Sequence, residues 1–356
     1  MNLWSISFAF RLGLGFHALN NEGADGSNLM QPRRIDVGSV TYDGISGEIV
    51  RHHILENFVN ICRAENMPML PMSEALHPDR GPIGIRAAAK MLDFHELNAG
   101  NLFQSVREAI RLCPVLDVGG YLAAWKEQGE SSQKKEYVAE KPYIDSSCAV
   151  YKDAQPVKRE TCFDVAWLIS ENPQDLSATQ HSAFRDTFAM NSRYTQIMRS
   201  NVYGGVIRAD LHRVGTDDYW YLHTTDASPK KRLAVTEDQR AERQKALIKA
   251  ISDFIASPTG AKVAAWAPHV FLTEGAVLLT RSRTAPFVSP IKVNLQQAKV
   301  NLQEAARPVQ PDSTYVKRMQ DLAKEGDTWV WSFTDIKGLL ESADRAITIV
   351  DGRHDG

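Results

Sequence analysis

The chain has few cysteines and none of the spacing that binds zinc. The four cysteines are scattered among 356 residues without a Cys-x-x-Cys pair: Cys62, Cys113, Cys148 and Cys162. A structural zinc site is therefore not expected. We expect instead that the thiols are reduced and that the protein is cytoplasmic. Nucleotide-binding glycine loops are also missing, because Gly13 and Gly15 lack the rest of the dinucleotide fingerprint and no Walker loop occurs. We predict neither a metal nor an organic cofactor.

Long apolar runs and an excess of one charge are absent too. No uninterrupted apolar stretch is long enough to cross a bilayer, and the first residues show neither a basic n-region nor a small-residue cleavage site. We therefore expect no membrane partner and no signal peptide. The formal net charge is only −2. The protein as a whole does not attract a polyanion, so any nucleic-acid site must concentrate its basic residues locally.

An alternating pattern predicts a half-buried strand over residues 3–16. Large apolar residues from Trp4 to Phe16 fall on one face, and smaller or polar residues, among them Gly13 and Gly15, fall on the other. The small face leaves room for a flat group to approach. A neighbouring element packed there is the alternative.

Later patterns complete a core of six elements. Residues 46–64 predict a helix, 158–170 a strand, 203–222 a hairpin, 236–257 a helix with a capping box formed by Thr236 and Gln239, and 269–283 a strand. The order strand, helix, strand, strand, helix, strand is the βαββαβ arrangement of ferredoxin-like folds. The predicted fold class is thus α+β, a ferredoxin-like (RRM-like) palm with an antiparallel sheet.

Four regions lack the regular pattern of this core. One is rich in Asn, Gly, Asp and Ser and predicts a long irregular loop, one has proline-rich turns around short helices and predicts an insertion, and one is basic and irregular. The last begins with a Pro-rich linkage and ends in a polar tail. The irregular loop is 17–44, the insertion is 66–157 (helices near 84–94 and 101–112) and the basic stretch is 171–202. The last region is 285–356 (helical candidates near 292–306 and 313–325).

The start of the first helix is the most informative motif. An Asp-Gly turn leads into Ser46, a good helix cap, and then into Gly47 and an apolar-periodic segment. The free N–H groups and the positive dipole end of a helix start bind anions, and glycine lets a ligand come close. Arg51 adds a guanidinium that matches phosphate, with His52 and His53 beside it. The motif indicates a phosphate site; a capped surface helix with a stray arginine is the alternative.

Three motifs resemble the CRISPR-associated DevR-type autoregulator family. They are the strand end from Leu14 to Gly23, the helix start from Ile45 to His52, and the late stretch from Ala267 to Ala276. The resemblance covers about residues 1–285 and leaves the rest unexplained. This family is identified as the backbone subunit of type I Cascade effectors, the seventh family of Cas proteins.

The resemblance implies a right-hand shape and a set of partners. Copies of the protein would coat one CRISPR guide RNA as a helical filament, grip its backbone and leave its bases free to pair with target DNA. Other partners would be the guide 5′-end capping subunit and the large and small Cascade subunits. The implied parts are a palm (1–65, 158–170 and 203–285), a helical finger insertion (66–157), a thumb hairpin (171–202) and a C-terminal extension (286–356).

A coat for guides of varying sequence must bind phosphate and ribose rather than base edges. RNA-recognition domains stack bases on aromatic side chains of the open sheet face, but the aromatic RNP1 signature is missing here, so we expect loops and helix ends to hold the RNA. For each arginine taken singly, a solvated surface role is the alternative, and for His52 a packed helix position. The predicted RNA-binding residues are Asn20, Asn21, Arg33, Arg34, Ser46, Gly47, Arg51, His52, Arg193, Gln196 and Arg199.

An enzymatic alternative rests on two aspartates. Related backbone subunits of type III effectors cut target RNA with an aspartate in the loop after the first strand, and Asp25 and Asp36 lie in that loop here. A turn explains Asp25, which precedes glycine, and Asp36 fits a surface charge. The DevR-type motifs favour the non-cutting subunit. We therefore predict a protein that is not an enzyme, with a metal-dependent RNA endonuclease using Asp25 or Asp36 as the alternative.

Overall fold

A computed structural model describes most of the chain. It covers residues 4–19, 21–24, 29–124, 148–153, 155–173, 176–183, 192–223, 232–258, 268–294, 308–323 and 326–352. The strands are β1 (Ser5–His17), β2 (Asn21–Ala24), β3 (Leu29–Pro32), β4 (Arg34–Val37), β5 (Val40–Ile45), β6 (Glu96–Asn98), β7 (Tyr121–Ala123), β8 (Val150–Asp153), β9 (Val157–Arg159), β10 (Phe163–Val165), β11 (Leu168–Pro173), β12 (Leu176–Ala183), β13 (Ser192–Ala209), β14 (His269–Thr280), β15 (Ile291–Val293), β16 (Val309–Pro311) and β17 (Thr328–Phe333). The helices are α1 (Gly47–Ala64), α2 (Arg80–Met91), α3 (Leu102–Leu112), α4 (Pro114–Gly119), α5 (Trp220–His223), α6 (Glu237–Ala256), α7 (Tyr315–Leu322) and α8 (Ile336–Val350).

The main sheet runs in the order β17-β14-β1-β13-β11-β5-β4, and every neighbouring pair along this path is antiparallel. The predicted α+β class with an antiparallel sheet is confirmed. Elements in the expected order of strand, helix, strand, strand, helix, strand can be traced along the chain as β1, α1, β11, β13, α6 and β14, but the single strand predicted at 158–170 is divided among β9, β10 and the first residues of β11. Among the helices that the structure describes, none is long and apolar enough to span a lipid bilayer.

Strand β1 places alternate residues on two faces as predicted, but the prediction that it is half-buried is wrong, because 11 of its 13 residues are buried. Phe8 and Phe10 are fully buried and belong to the same cluster as Phe58 of α1 and Phe254 of α6. The pattern fails at Phe16, which we expected on this buried face and which is 65% exposed. A shift in strand register between Leu14 and His17 turns the Phe16 side chain out of the core.

The opposite face of the sheet is covered by the C-terminal segment. Ala9 and Leu278 form a second buried cluster with Val288, Tyr315 and Met319. Small residues on this face of β1 therefore accommodate a packed element over the middle of the strand, as the alternative interpretation of that face proposed.

Three regions differ from the sequence predictions. The supposed irregular loop at 17–44 contains β2 to β5, and the supposed irregular stretch at 171–202 contains β12 paired with β13. The expected hairpin at 203–222 is wrong, because β13 continues to Ala209 and a 3-10 turn and α5 follow it. Turn-forming residues dominate the first region, but its strands are held by pairing, β4 with β5 and β3 with β13.

The C-terminal region is more regular than its composition suggested. The helical candidate near 313–325 is confirmed as α7, whereas the one near 292–306 coincides with β15 at its start and otherwise lies outside the described residues. The polar tail we expected is instead β17, which extends the sheet beyond β14, and α8, whose Leu339 is buried in the main core.

A buried ionic cluster joins the helical insertion to the rest of the fold. The Arg159 guanidinium lies 2.5 Å from the Asp117 carboxylate, whose other oxygen lies 2.9 Å from Arg243 of α6. Asp117 also accepts hydrogen bonds from the Gly215 N–H, and Arg159 donates to the Thr216 carbonyl at 2.7 Å. All three charged side chains are at most 3% exposed. Residues from α4, β9, α6 and the loop after β13 thus meet at one carboxylate.

We predict that Arg159→Met lowers the free energy of unfolding by about 3 kcal/mol or more, since Asp117 would keep its burial and lose one of its two cations. Denaturant titration measures the loss. The control is Arg111→Met, because Arg111 is 47% exposed and pairs with Glu108 at the surface, where a pair contributes less than about 1 kcal/mol. Equal losses in the two variants would contradict the role of the cluster.

Candidate nucleic-acid interface

A cleft of ≈ 550 Å³ opens beside the first turns of α1. Its walls come from α1, from the approach to α2, from the α4–β7 junction and from the end of β9. The residues that line it are Glu48, Arg51, His52, Leu55, Leu76, Arg80, Gly119, Gly120, Tyr121, Leu122, Lys158, Arg159, Glu160 and Thr161. The cleft therefore lies where the predicted palm meets the helical insertion.

Two arginines give the cleft its positive charge. Arg51 is exposed on α1, and Arg80 is half-buried at the first position of α2. Burial lowers the pKa of Arg80, and the nearby charge of Arg51 lowers it as well. Arg80 donates to the main-chain carbonyls of Leu76, His77 and Gly120, at 3.4, 3.2 and 2.9 Å, and these contacts leave its charge in place. Because both residues line the cleft, an anion bound there would be attracted by both positive charges.

The other exposed charged residues of the cleft include both signs. Lys158 lies 2.7 Å from Glu160 in an exposed ion pair, and Glu48 is exposed on the first turn of α1. Exposed pairs of this kind contribute little and exchange partners readily. A phosphate group can therefore compete with Glu160 for Lys158, while Arg51 and Arg80 add positive charge to the same cleft.

The start of α1 is capped as predicted, but Gly47 has a different explanation. The Ser46 hydroxyl accepts a hydrogen bond from the Ile49 N–H at 3.4 Å, and Ser46 is 4% exposed. A Cβ atom at Gly47 would lie 2.4 Å from the Val165 carbonyl oxygen. Close packing against β10, rather than an approaching ligand, explains the glycine, and the burial of Ser46 argues against its contact with RNA. The cationic side chain near this helix start is that of Arg51, one turn later.

The histidines of α1 form a hydrogen-bonded group with Glu56. The His53 Nδ1 lies 2.6 Å and the His52 Nε2 3.3 Å from its carboxylate oxygens. Within the described ranges, this is the one set of three possible metal ligands whose atoms lie within 4.8 Å of one another. Burial lowers the pKa of His53, whereas His52 is half exposed and faces the cleft. Helical i,i+3 and i,i+4 pairing accounts for the group.

Arg199 is not at the surface. Its side chain is 1% exposed, lies 2.6 Å from the Asp43 carboxylate and donates to the Leu19 carbonyl. Tyr203 also donates to Asp43 and lies 2.8 Å from the His17 Nε2. Burial raises the pKa of Asp43 and the charge of Arg199 opposes that rise. The predicted phosphate contact of Arg199 is therefore corrected to a core ion pair, and Asp43, assigned to a turn from the sequence, lies buried in β5.

The remaining predicted residues divide between surface positions and parts outside the description. Arg33 and Arg34 are exposed, and the Arg33 carbonyl accepts the Gly44 N–H at 3.1 Å, so both arginines lie close to the chain entering α1. Asn20 lies outside the described residues. The side chains of three further predicted residues also lie outside them, although their main chains belong to β2 and β13: Asn21, Arg193 and Gln196.

The groups considered for catalysis are engaged elsewhere or not described. Asp36 is exposed on β4 and accepts a hydrogen bond from the Thr41 hydroxyl at 2.7 Å. Asp25 falls outside the residues that the structure describes. All four cysteines are unpaired and buried, and burial raises the pKa of Cys62 and Cys162 to about 12, which makes them poor nucleophiles.

The comparison with protein families decides the affiliation of the chain. The CRISPR-associated negative auto-regulator DevR/Csa2 family matches residues 8–304. The chain belongs to the DevR/Csa2 family. The resemblance drawn from three motifs is confirmed, and the match extends to residue 304, beyond residue 285, the limit of the resemblance seen in the sequence. Sequence reasoning missed Arg80 and Lys158 because both lie far along the chain from α1, and no local pattern brings them to it.

Three solved structures are distantly similar to this chain. A chain of a pre-nicking CRISPR RNA-guided surveillance complex is 11% identical, with a TM-score of 0.45, over 98% of this chain and all of its own. A chain of another CRISPR RNA-guided surveillance complex is 9% identical, with a TM-score of 0.43, over 99% of this chain and all of its own. Csc2 from Thermofilum pendens is 11% identical, with a TM-score of 0.37, over 99% of this chain and 91% of its own. No curated protein matches.

We predict that Gly47→Ala destabilises the protein in the absence of RNA. Alanine in a helix is ordinarily more stable than glycine by roughly 0.5–1 kcal/mol, but here the added Cβ would overlap the Val165 carbonyl, and such overpacking costs about 1–3 kcal/mol. Denaturant titration measures the change. Gly338→Ala in α8 is the control, because its Cβ would come no closer than 3.1 Å to its neighbours. A gain in stability for Gly47→Ala would refute the packing explanation.

Proposed function

We propose that this protein is a structural RNA-binding subunit that coats the guide RNA of a type I CRISPR (Cascade) effector. Several copies would form a helical filament along one guide and present its bases to target DNA. Membership of the DevR/Csa2 family supports a CRISPR-associated role. The observation that carries the RNA-binding part is the cleft that Arg51 of α1 and Arg80 of α2 both line.

The cleft has the chemistry of a backbone site. Guanidinium groups form paired hydrogen bonds to phosphate without reading the base, and Lys158 adds a third cation that an RNA phosphate can draw from Glu160. The exposed Arg33 and Arg34 extend the basic surface from the hairpin that leads into α1. Since the net charge of the chain is only −2, this local concentration is what a polyanion would encounter.

The finer architecture forms part of the same proposal. We interpret β14-β1-β13-β11 with α1 and α6 as a ferredoxin-like palm, residues 66–157 as the fingers and the β12–β13 pair as the thumb. The element order and the antiparallel sheet support the palm, and the pairing of Leu176 with Arg199 through Ala183 with Ser192 supports the hairpin. The helices of the insertion share the main core with β1, so the fingers would be fixed on the palm.

Several expectations from the sequence stay predictions. These are the cytoplasmic location, the contacts with the capping, large and small Cascade subunits, and the absence of catalysis. RNA cleavage gains no support from Asp36, whose carboxylate is held by Thr41 and belongs to no described cluster of metal ligands.

A salt titration of RNA binding tests the cleft. We expect Arg51→Gln to weaken binding of two single-stranded RNAs of unrelated sequence equally, and to reduce the slope of log affinity against log salt by about 0.7 for the lost phosphate contact. Fluorescence anisotropy measures both quantities. The matched control is Arg63→Gln, since Arg63 is 55% exposed on the same helix and pairs with Glu74. An unchanged slope for Arg51→Gln, or an equal loss in the control, would contradict the proposed site.

A further inference from the structure

Two phenylalanines are exposed at one end of the central strands. Phe16 of β1 is 65% exposed and Phe271 of β14 is 60% exposed. Each lies at a β-bulge. His17 pairs with Arg199 and Leu14 with Asn201, so two residues of β1 face one of β13. Bulges redirect side chains and are frequent beside functional sites. Two bulges thus direct a large apolar ring outward at the same end of the sheet.

The second bulge places the ring of Phe271 against Gly13 and Gly15 of β1. Gly13 pairs with Leu272 and Leu14 with Val270, which leaves Phe271 as the extra residue of β14. A Cβ on Gly13 would lie 2.5 Å from the Phe271 Cε2, and one on Gly15 would lie 3.8 Å from its Cδ1. The ring thus lies across the two glycines. The small face of β1 accepts a flat group after all, and that group comes from β14.

Phe16 is held in an unusual main-chain conformation. Its φ of 53° is in the left-handed region, which bulky residues rarely adopt. The Phe16 N–H donates to the Ser200 hydroxyl at 3.0 Å, and its ring meets that of His269 edge to face, with centroids 6.3 Å apart. Strained positions of this kind cluster at binding sites, where surrounding contacts hold them in place. Phe16, His269 and Phe271 together form what we call the aromatic platform.

We propose that the aromatic platform stacks an unstacked base of the bound RNA. The inference rests on the proposed function and adds a contact to the base ring that the basic cleft does not make. Every base has a π-face, so stacking is compatible with guides of any sequence. It also departs from our expectation that no aromatic side chains on central strands would contact RNA.

The position of the platform favours RNA over other occupants. It lies on the sheet face that RNA-recognition domains use for stacking, at the end that the C-terminal cluster around Ala9 and Tyr315 does not cover. Phe16 immediately precedes His17 to Leu19, and the Leu19 carbonyl is fixed by Arg199 at the base of the β12–β13 pair. The platform therefore lies beside the β12–β13 pair, which the proposed function interprets as the thumb, and precedes in the chain Asn20 and Asn21, two residues that the sequence predicts to bind RNA.

Single-stranded RNA carrying 2-aminopurine at successive positions tests the inference on the full chain. In wild-type protein we expect quenching at a subset of positions. The double variant Phe16→Leu/Phe271→Leu should lose that quenching and bind about fivefold or more weakly, with an unchanged salt slope because no charge is removed. Phe271→Tyr should retain both properties. Phe287→Leu, at another exposed phenylalanine (43%), is the control and should match wild type. Circular dichroism checks that each variant is folded.

The outcomes separate this inference from the proposed function. If wild type binds RNA, Arg51→Gln weakens binding and the double variant keeps full affinity and quenching, the platform is refuted and the cleft stands. If wild type binds no RNA, both fail. If RNA affinity is unchanged and light scattering shows that the double variant loses an RNA-free oligomer, the platform contacts another copy of the chain and the inference is overturned.

Discussion

The burial of β1 on both faces is the constraint on which the rest of the structure depends. One face carries Phe8 and Phe10 against α1 and α6, and the other carries Ala9 under the C-terminal segment. A central strand covered in this way leaves little open sheet for a ligand. Sites for a large polymer must therefore lie at the ends of the central strands and along the insertions. Both the basic cleft beside α1 and the exposed ring of Phe16 lie in such places.

Charge pairing divides the arginines into two groups with different roles. Arg159 and Arg199 are buried against Asp117 and Asp43, and tie the insertion and the hairpin to the central strands. Because breaking a buried pair leaves an uncompensated charge, these contacts fix geometry. Arg51, by contrast, is exposed and lies near the half-buried Arg80. The protein thus uses carboxylates to hold its framework and leaves positive charge at the surface where a polyanion can reach it.

Periodicity and capping predicted the core well, because β1 alternates between two faces, α1 and α6 each bury one face, and these signals are local. Strands β2 to β5 were missed, since turn-forming residues conceal strands that are held by pairing, β4 with the adjacent β5, β3 with the distant β13 and β5 with the distant β11. The same limit applies to Arg199: sequence alone does not show whether an arginine meets solvent or a carboxylate such as Asp43. Gly47 looked like a ligand-binding glycine, yet a glycine is needed there because the Val165 carbonyl leaves no room for a side chain. Arg80 reaches the cleft only through the packing of the insertion, which no local pattern encodes.

The central claim is that several copies of the chain share one guide RNA. It is tested most directly by purifying the protein from a host that expresses a CRISPR array and the partner subunits, sequencing the RNA that accompanies it, and measuring the mass of the intact particle by native mass spectrometry. The account predicts discrete guide RNAs, each with several protomers. A monomer free of RNA under these conditions would contradict it.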